Sequence, residues 1–163
     1  MVPEQSFFNS TTKEALFQVL LHIVLFLFFS FDKNEPQIHP YKVFAFLNYS
    51  VGALIINYVL LPRFFYKKKY MTFILFVIII VAGIIIIEEF VLEKIYYPDT
   101  RGTRFPGVIY SLLDVMPVIT ILAGFKFAWD ASKKQLEVEE LRSSVKESEL
   151  QFLKSQINPH FLF

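Results

Sequence analysis

Four apolar runs organise this chain, Ala15 to Phe31, Tyr41 to Leu61, Met71 to Ile87 and Phe105 to Phe127, and a charged tail follows them. Each run approaches the ~20 residues that a bilayer-spanning helix needs. The first and third are short: at ~1.5 Å per residue they reach about 26 Å, just under the ~30 Å hydrocarbon core. The first run lacks the small-residue cleavage site of a signal peptide, so it reads as retained. From Asp130 to Ile157 the pattern changes, with charged and apolar positions alternating without Pro or Gly, as in an exposed helix. Val138, Leu141, Val145, Ser148 and Phe152 fall at 3-4-3-4 spacing, a heptad seam with one polar member. Leu150, Leu153 and Ile157 form a second, rotated stripe, which suggests that a two-helix seam gives way to a wider bundle. A single amphipathic helix lying on the membrane or on another domain is the competing reading of this segment.

Composition agrees with the pattern. Of 163 residues, 55% are hydrophobic and 18% aromatic, with 20 Phe. Soluble domains rarely carry so much apolar surface. A net charge of +1 gives no electrostatic footprint for nucleic acid, and without cysteine there are no disulfides and no thiolate metal sites.

Loop charges orient the spans. Arg63, Lys67, Lys68 and Lys69 follow the second run with no acid among them, so this loop is expected in the cytoplasm. The segments Asp32 to Pro40 and Glu88 to Arg104 then face outward, and both termini are cytoplasmic. Lys126, Lys133 and Lys134, where the fourth run ends, agree with that placement. Pro36, Pro40, Pro98 and Pro106 punctuate the outer segments as turn or helix-start residues.

The candidate chemistry lies at the end of the chain. Pro159 disfavours helix at Asn158, while Asn is a good N-cap and Pro a good first helical residue. His160 is therefore expected in the first turn of a new helix, where free N–H groups and the positive helix end favour a phosphoryl group. Imidazole is nucleophilic near neutral pH and can attack the γ-phosphoryl group of ATP. Taken alone, a Pro-His dipeptide more often caps or packs.

The whole string decides otherwise. Phe152-Leu153-Lys154-Ser155-Gln156-Ile157-Asn158-Pro159-His160-Phe161-Leu162-Phe163 closely resembles the phosphoacceptor signature of LytS-like sensor histidine kinases. That family also places a multi-span membrane sensor and a short coil before the string. The exit of the second run, Asn57-Tyr58-Val59-Leu60-Leu61-Pro62-Arg63-Phe64 followed by Lys67-Lys68-Lys69-Tyr70, resembles bacterial members with four spans. The likeness is specific over the last twelve residues and architectural elsewhere. It implies that His160 is autophosphorylated, with Asn158 and Pro159 positioning it, and that ATP and Mg²⁺ bind in a domain beyond Phe163. The chain itself has no Gly-rich nucleotide site, so by itself it is expected to be inactive. The resemblance further implies a homodimer in the bacterial inner membrane and a response regulator with a LytTR-type DNA-binding domain, without direct contact between this chain and nucleic acid.

The expected fold is all-α: a terminal segment 1–14, a four-helix membrane domain 15–128, a coiled-coil signalling helix 129–157 and the start of a phosphotransfer domain at 158–163. Two ionisable groups fall inside the spans, His22 in the first and Asp114 in the fourth, where they are costly and face the bundle interior or water. Their depths differ by only ~4 to 5 Å in straight, untilted helices, so they can pair, or Asp114 can bond to Asn48, Asn57 or Tyr58. Pro117 is placed to kink the fourth helix. Glu88, Glu89, Glu93 and Asp99 read as a solvated acidic rim, with cation binding as the sharper alternative. Readings from other classes are a small four-helix transporter coupled through Asp114 or His22, and a membrane scaffold whose coil only recruits partners.

Overall fold

The computed structural model describes residues 10–31, 37–99 and 107–156, which are almost wholly helical and contain no strand. His160, Asn158, Pro159 and Ile157 lie outside the described residues. Four helices are long and apolar enough to cross a membrane: α1 (Ser10–Ser30), α2 (Pro40–Phe65), α3 (Tyr70–Tyr96) and α4 (Val108–Gln156). The chain divides into two compact units, Met1–Phe127 and Ala128–Phe163.

In the first unit α2 is the central helix. Half of its most apolar window is buried, against 6% for α1 and 17% for α3. Its buried face carries Ala45, Phe46, Tyr49, Ala53, Ile56 and Leu60, packed against Val81, Ile84 and Ile85 of α3 and Val115, Ile119 and Leu122 of α4. A Cβ on Gly52 would collide with the Ile84 side chain, so the missing side chain on α2 leaves room for the isoleucines of α3. The outward faces are nearly all large and apolar, Phe28 at 85% and Ile78 at 62% exposure among them. Such a surface is a liability in water and is normal against lipid.

Two helices run past their expected ends because the hydrogen-bond register widens. The last turns of α2, Ile56–Phe65, are π-helical and contain Pro62. Proline has no N–H, and in an α-helix its ring clashes with the carbonyl one turn back; the wider π-turn relieves the clash. Arg63 therefore sits inside the helix, and the basic turn shrinks to Tyr66–Lys69. Lys68 closes that turn in the left-handed region at φ 60°, with the Lys69 N–H donating to the Phe64 carbonyl at 2.9 Å. In α3 a π-helical turn, Glu88–Leu92, joins Tyr70–Ile87 to Glu93–Tyr96. The third span is thus 27 residues rather than the short run ending at Ile87.

The fourth helix is uninterrupted through Pro117. Within the second unit every described residue from Ala131 to Gln156 is exposed, including the seam residues Val138, Leu141, Val145 and Phe152. The polar seam residue Ser148 donates to the Ser144 carbonyl of its own helix at 2.9 Å, so it needs no partner across a seam.

Candidate functional site

The membrane residues singled out from the sequence do not converge on one another. His22 directs Nδ1 to the Gln18 carbonyl of its own helix at 2.7 Å, and Asp114 is exposed on α4. The His22–Asp114 pairing is therefore absent. Depth along the bundle matched them, but rotation about each helix axis did not: Ser111, Val115 and Val118 hold the buried face of α4, and Asp114 falls beside it. The amide of Asn48 donates to the Ile84 carbonyl at 3.0 Å and that of Asn57 to the Leu122 carbonyl at 3.2 Å. Both tie α2 to a neighbouring helix rather than serving Asp114. Tyr58 bonds Glu14 instead, at 3.4 Å.

A carboxylate pair occupies the end of the bundle where α2 and α4 begin. Glu88 and Glu89 are 3% and 7% exposed, so half of the expected solvated rim is core. Glu88 Oε1 accepts from the hydroxyls of Tyr49 (2.7 Å) and Tyr41 (2.8 Å), which fasten α3 to α2. Glu89 faces α4: Oε1 accepts from the Ser111 hydroxyl at 2.6 Å and Oε2 from the Gly107 N–H at 3.0 Å. The first turn of α4 thus receives a carboxylate where its free N–H groups and positive dipole end favour one. The π-turn makes this double clamp, because its smaller angular step brings two successive residues closer to one side of the helix. Asp99, by contrast, is exposed as expected. A sequence signal existed: Val81, Ile84, Ile85, Glu88 and Leu92 continue one helical stripe. It was missed because the hydropathy of the run stops at Ile87.

At the opposite end Lys126 and Glu14 form an ion pair at 2.6 Å, with side chains 9% and 15% exposed. The ammonium also lies 5.1 Å from the centre of the Tyr58 ring. Three helices meet at this contact, just before the boundary between the two units at Phe127. Lys126 is therefore a buried structural cation as well as the orienting charge at the end of the fourth run that the sequence suggested. Among the described residues no cluster of His, Cys, Asp and Glu is arranged to hold a metal ion.

No family model, no curated protein and no solved structure matches this chain.

Proposed function

We propose that the chain is the sensing and transmitting part of a membrane sensor histidine kinase whose phosphoacceptor is His160. The observation that carries this reading is the string Phe152 to Phe163, which resembles the phosphoacceptor signature of LytS-like kinases. Its setting supports it. The helix that closes the bundle, α4, runs without interruption to Gln156, so one element joins the membrane domain to the first residues of the string. The clamps at the two ends of the bundle give a stimulus something discrete to rearrange: Glu88 and Glu89 hold α3 to α2 and α4, and Glu14 holds α1 to α4. Two copies would pair through the exposed stripe of Val138, Leu141, Val145 and Phe152. By the same resemblance, ATP and Mg²⁺ would be held by a separate catalytic domain and not by the residues of this chain. His160 would then attack the γ-phosphoryl group and pass it to an aspartate of a response regulator, by resemblance one with a LytTR-type domain. Both termini would be cytoplasmic, with Lys67, Lys68 and Lys69 on the same side.

The test is labelling of the full-length protein with ATP and Mg²⁺ in membranes. Phosphate should appear on His160 as an acid-labile, base-stable adduct, and His160→Gln should abolish it without affecting insertion. Persistent acid-labile label in that variant removes the assignment.

One observation favours a second reading. Carboxylates buried within a membrane-spanning helix are a feature of ion-coupled transport sites. A transporter would show Glu88-dependent solute flux in vesicles and no phosphohistidine.

A further inference from the structure

A third polar group lies between the two clamps, on helix faces that the function above does not use. Gln18 is 5% exposed, Ser50 8% and Asn57 1%. Both amide atoms of Gln18, the Ser50 hydroxyl, Asn57 Oδ1 and His22 Nε2 are buried with no hydrogen-bond partner in the protein.

These residues line one polar layer about 10 Å deep, since Ser50 and Asn57 are seven residues apart on α2. On one side it is bounded by the Glu14–Lys126 pair and the Phe17–Phe125 rings, 5.8 Å apart. On the other side it is bounded by Phe26 against Phe46 at 5.3 Å and Phe29 against Tyr49 at 5.5 Å. Gln18 and His22 are the next two turns of α1 after Glu14, and Ser50 is the turn of α2 after Phe46. Asn57 closes the layer toward α4 through the Leu122 carbonyl.

The donor and acceptor roles follow from chemistry. A backbone carbonyl only accepts, so the His22 nitrogen against Gln18 carries the hydrogen, and in the neutral ring Nε2 is a bare lone pair. By the same argument Asn57 turns its N–H₂ to Leu122 and leaves Oδ1 as an acceptor. The layer thus presents acceptors at His22 Nε2, Asn57 Oδ1 and Gln18 Oε1, a donor at Gln18 Nε2, and a hydroxyl at Ser50 that serves as either. Within hydrocarbon depth such groups are too costly to leave unmatched. Hydroxylic molecules answer this set, because each O–H donates while its oxygen accepts, and the three acceptors call for more than one O–H.

We propose that the Gln18–His22–Ser50–Asn57 layer is a binding site for a hydroxylic molecule, either water or a small hydroxyl-bearing compound that arrives through the lipid. The site is independent of the kinase reading.

The experiment uses the full-length protein, isotope-labelled, in vesicles of synthetic phosphatidylcholine. Solid-state NMR then measures magnetisation transfer from water. The His22 ring signals are assigned as those lost in the single variant His22→Phe. Water as occupant gives transfer to His22 Nε2 and to the Gln18 and Asn57 amides at short mixing times, while the Phe26 and Phe46 rings stay dark. A membrane-borne occupant instead gives a hydroxylic compound in organic extracts of protein purified from native membranes, lost in Gln18→Leu/Asn57→Leu. The single variant Gln18→Met serves if the double fails to fold. The proposal is overturned if the layer receives no water and no compound is lost. It is equally overturned if the flanking rings receive water as strongly as the layer does.

Discussion

Breaking the Glu14–Lys126 pair tests the packing of the bundle most directly. Lys126→Met keeps the aliphatic stem and removes the ammonium; Glu14→Gln keeps the shape and removes the charge. The side chains are 9% and 15% exposed, so the pair belongs to the buried class and not to surface pairs worth little. Removing one partner of a buried pair costs about 3–5 kcal/mol when nothing else serves the charge left behind. Here the Tyr58 hydroxyl stays 3.4 Å from Glu14, and the Tyr58 ring stays under Lys126, so about 2 kcal/mol is expected for each single variant. That is roughly 30-fold in the folded-to-unfolded ratio. The double variant replaces both charges with neutral groups of similar size and should cost only about 1 kcal/mol. Simple addition of the singles would give about 4 kcal/mol, so a coupling of about 3 kcal/mol should emerge from the cycle. Reversible unfolding of the membrane protein in mixed micelles, titrated with denaturing detergent, measures all four species. Additivity to within about 0.5 kcal/mol would refute the reasoning, because it would mean that the two side chains do not share an energy.

Two further outcomes are expected. Tyr49→Phe should cost about 1–3 kcal/mol in the same unfolding assay, and Tyr41→Phe less, because the Tyr49 bond to Glu88 is fully buried and the Tyr41 bond only partly; the reverse order would contradict the geometry of the clamp. Cross-linking in membranes should be efficient through Leu141→Cys and weak through Glu140→Cys if the exposed stripe of α4 pairs with a second copy, and equal yields would argue against a seam.

The apolar runs announced four helices because a membrane helix must satisfy its own backbone and bury or expose only apolar faces to lipid. Those constraints are local, so Ala15 to Phe31 and the later runs could be read without tertiary information. The proline- and glycine-free stretch after Asp130 gave the long helix for the same reason. The resemblance of Phe152 to Phe163 to a phosphoacceptor signature also rests on adjacent residues alone. What the runs concealed was where the helices end and which way they turn. Hydropathy stopped at Ile87 because a carboxylate follows, yet α3 continues for two more turns, since Tyr41, Tyr49, Ser111 and the Gly107 N–H supply the hydrogen bonds that make Glu88 and Glu89 tolerable inside. Those donors lie on other helices or, for Gly107, just before one, and no local pattern carries them. The alternative in which His22 pairs with Asp114 was open on the same ground: depth follows from counting residues, but contact also requires the rotation of each helix, which side-chain packing among α1, α2 and α4 decides. Lys126 reads from the sequence as an orienting charge at the end of the fourth run, and only the fold brings Glu14, far away in sequence, against it. The sequence determined which segments become helices; only the tertiary structure decided where they end and which polar groups are buried, because burial depends on partners that distant parts of the chain provide.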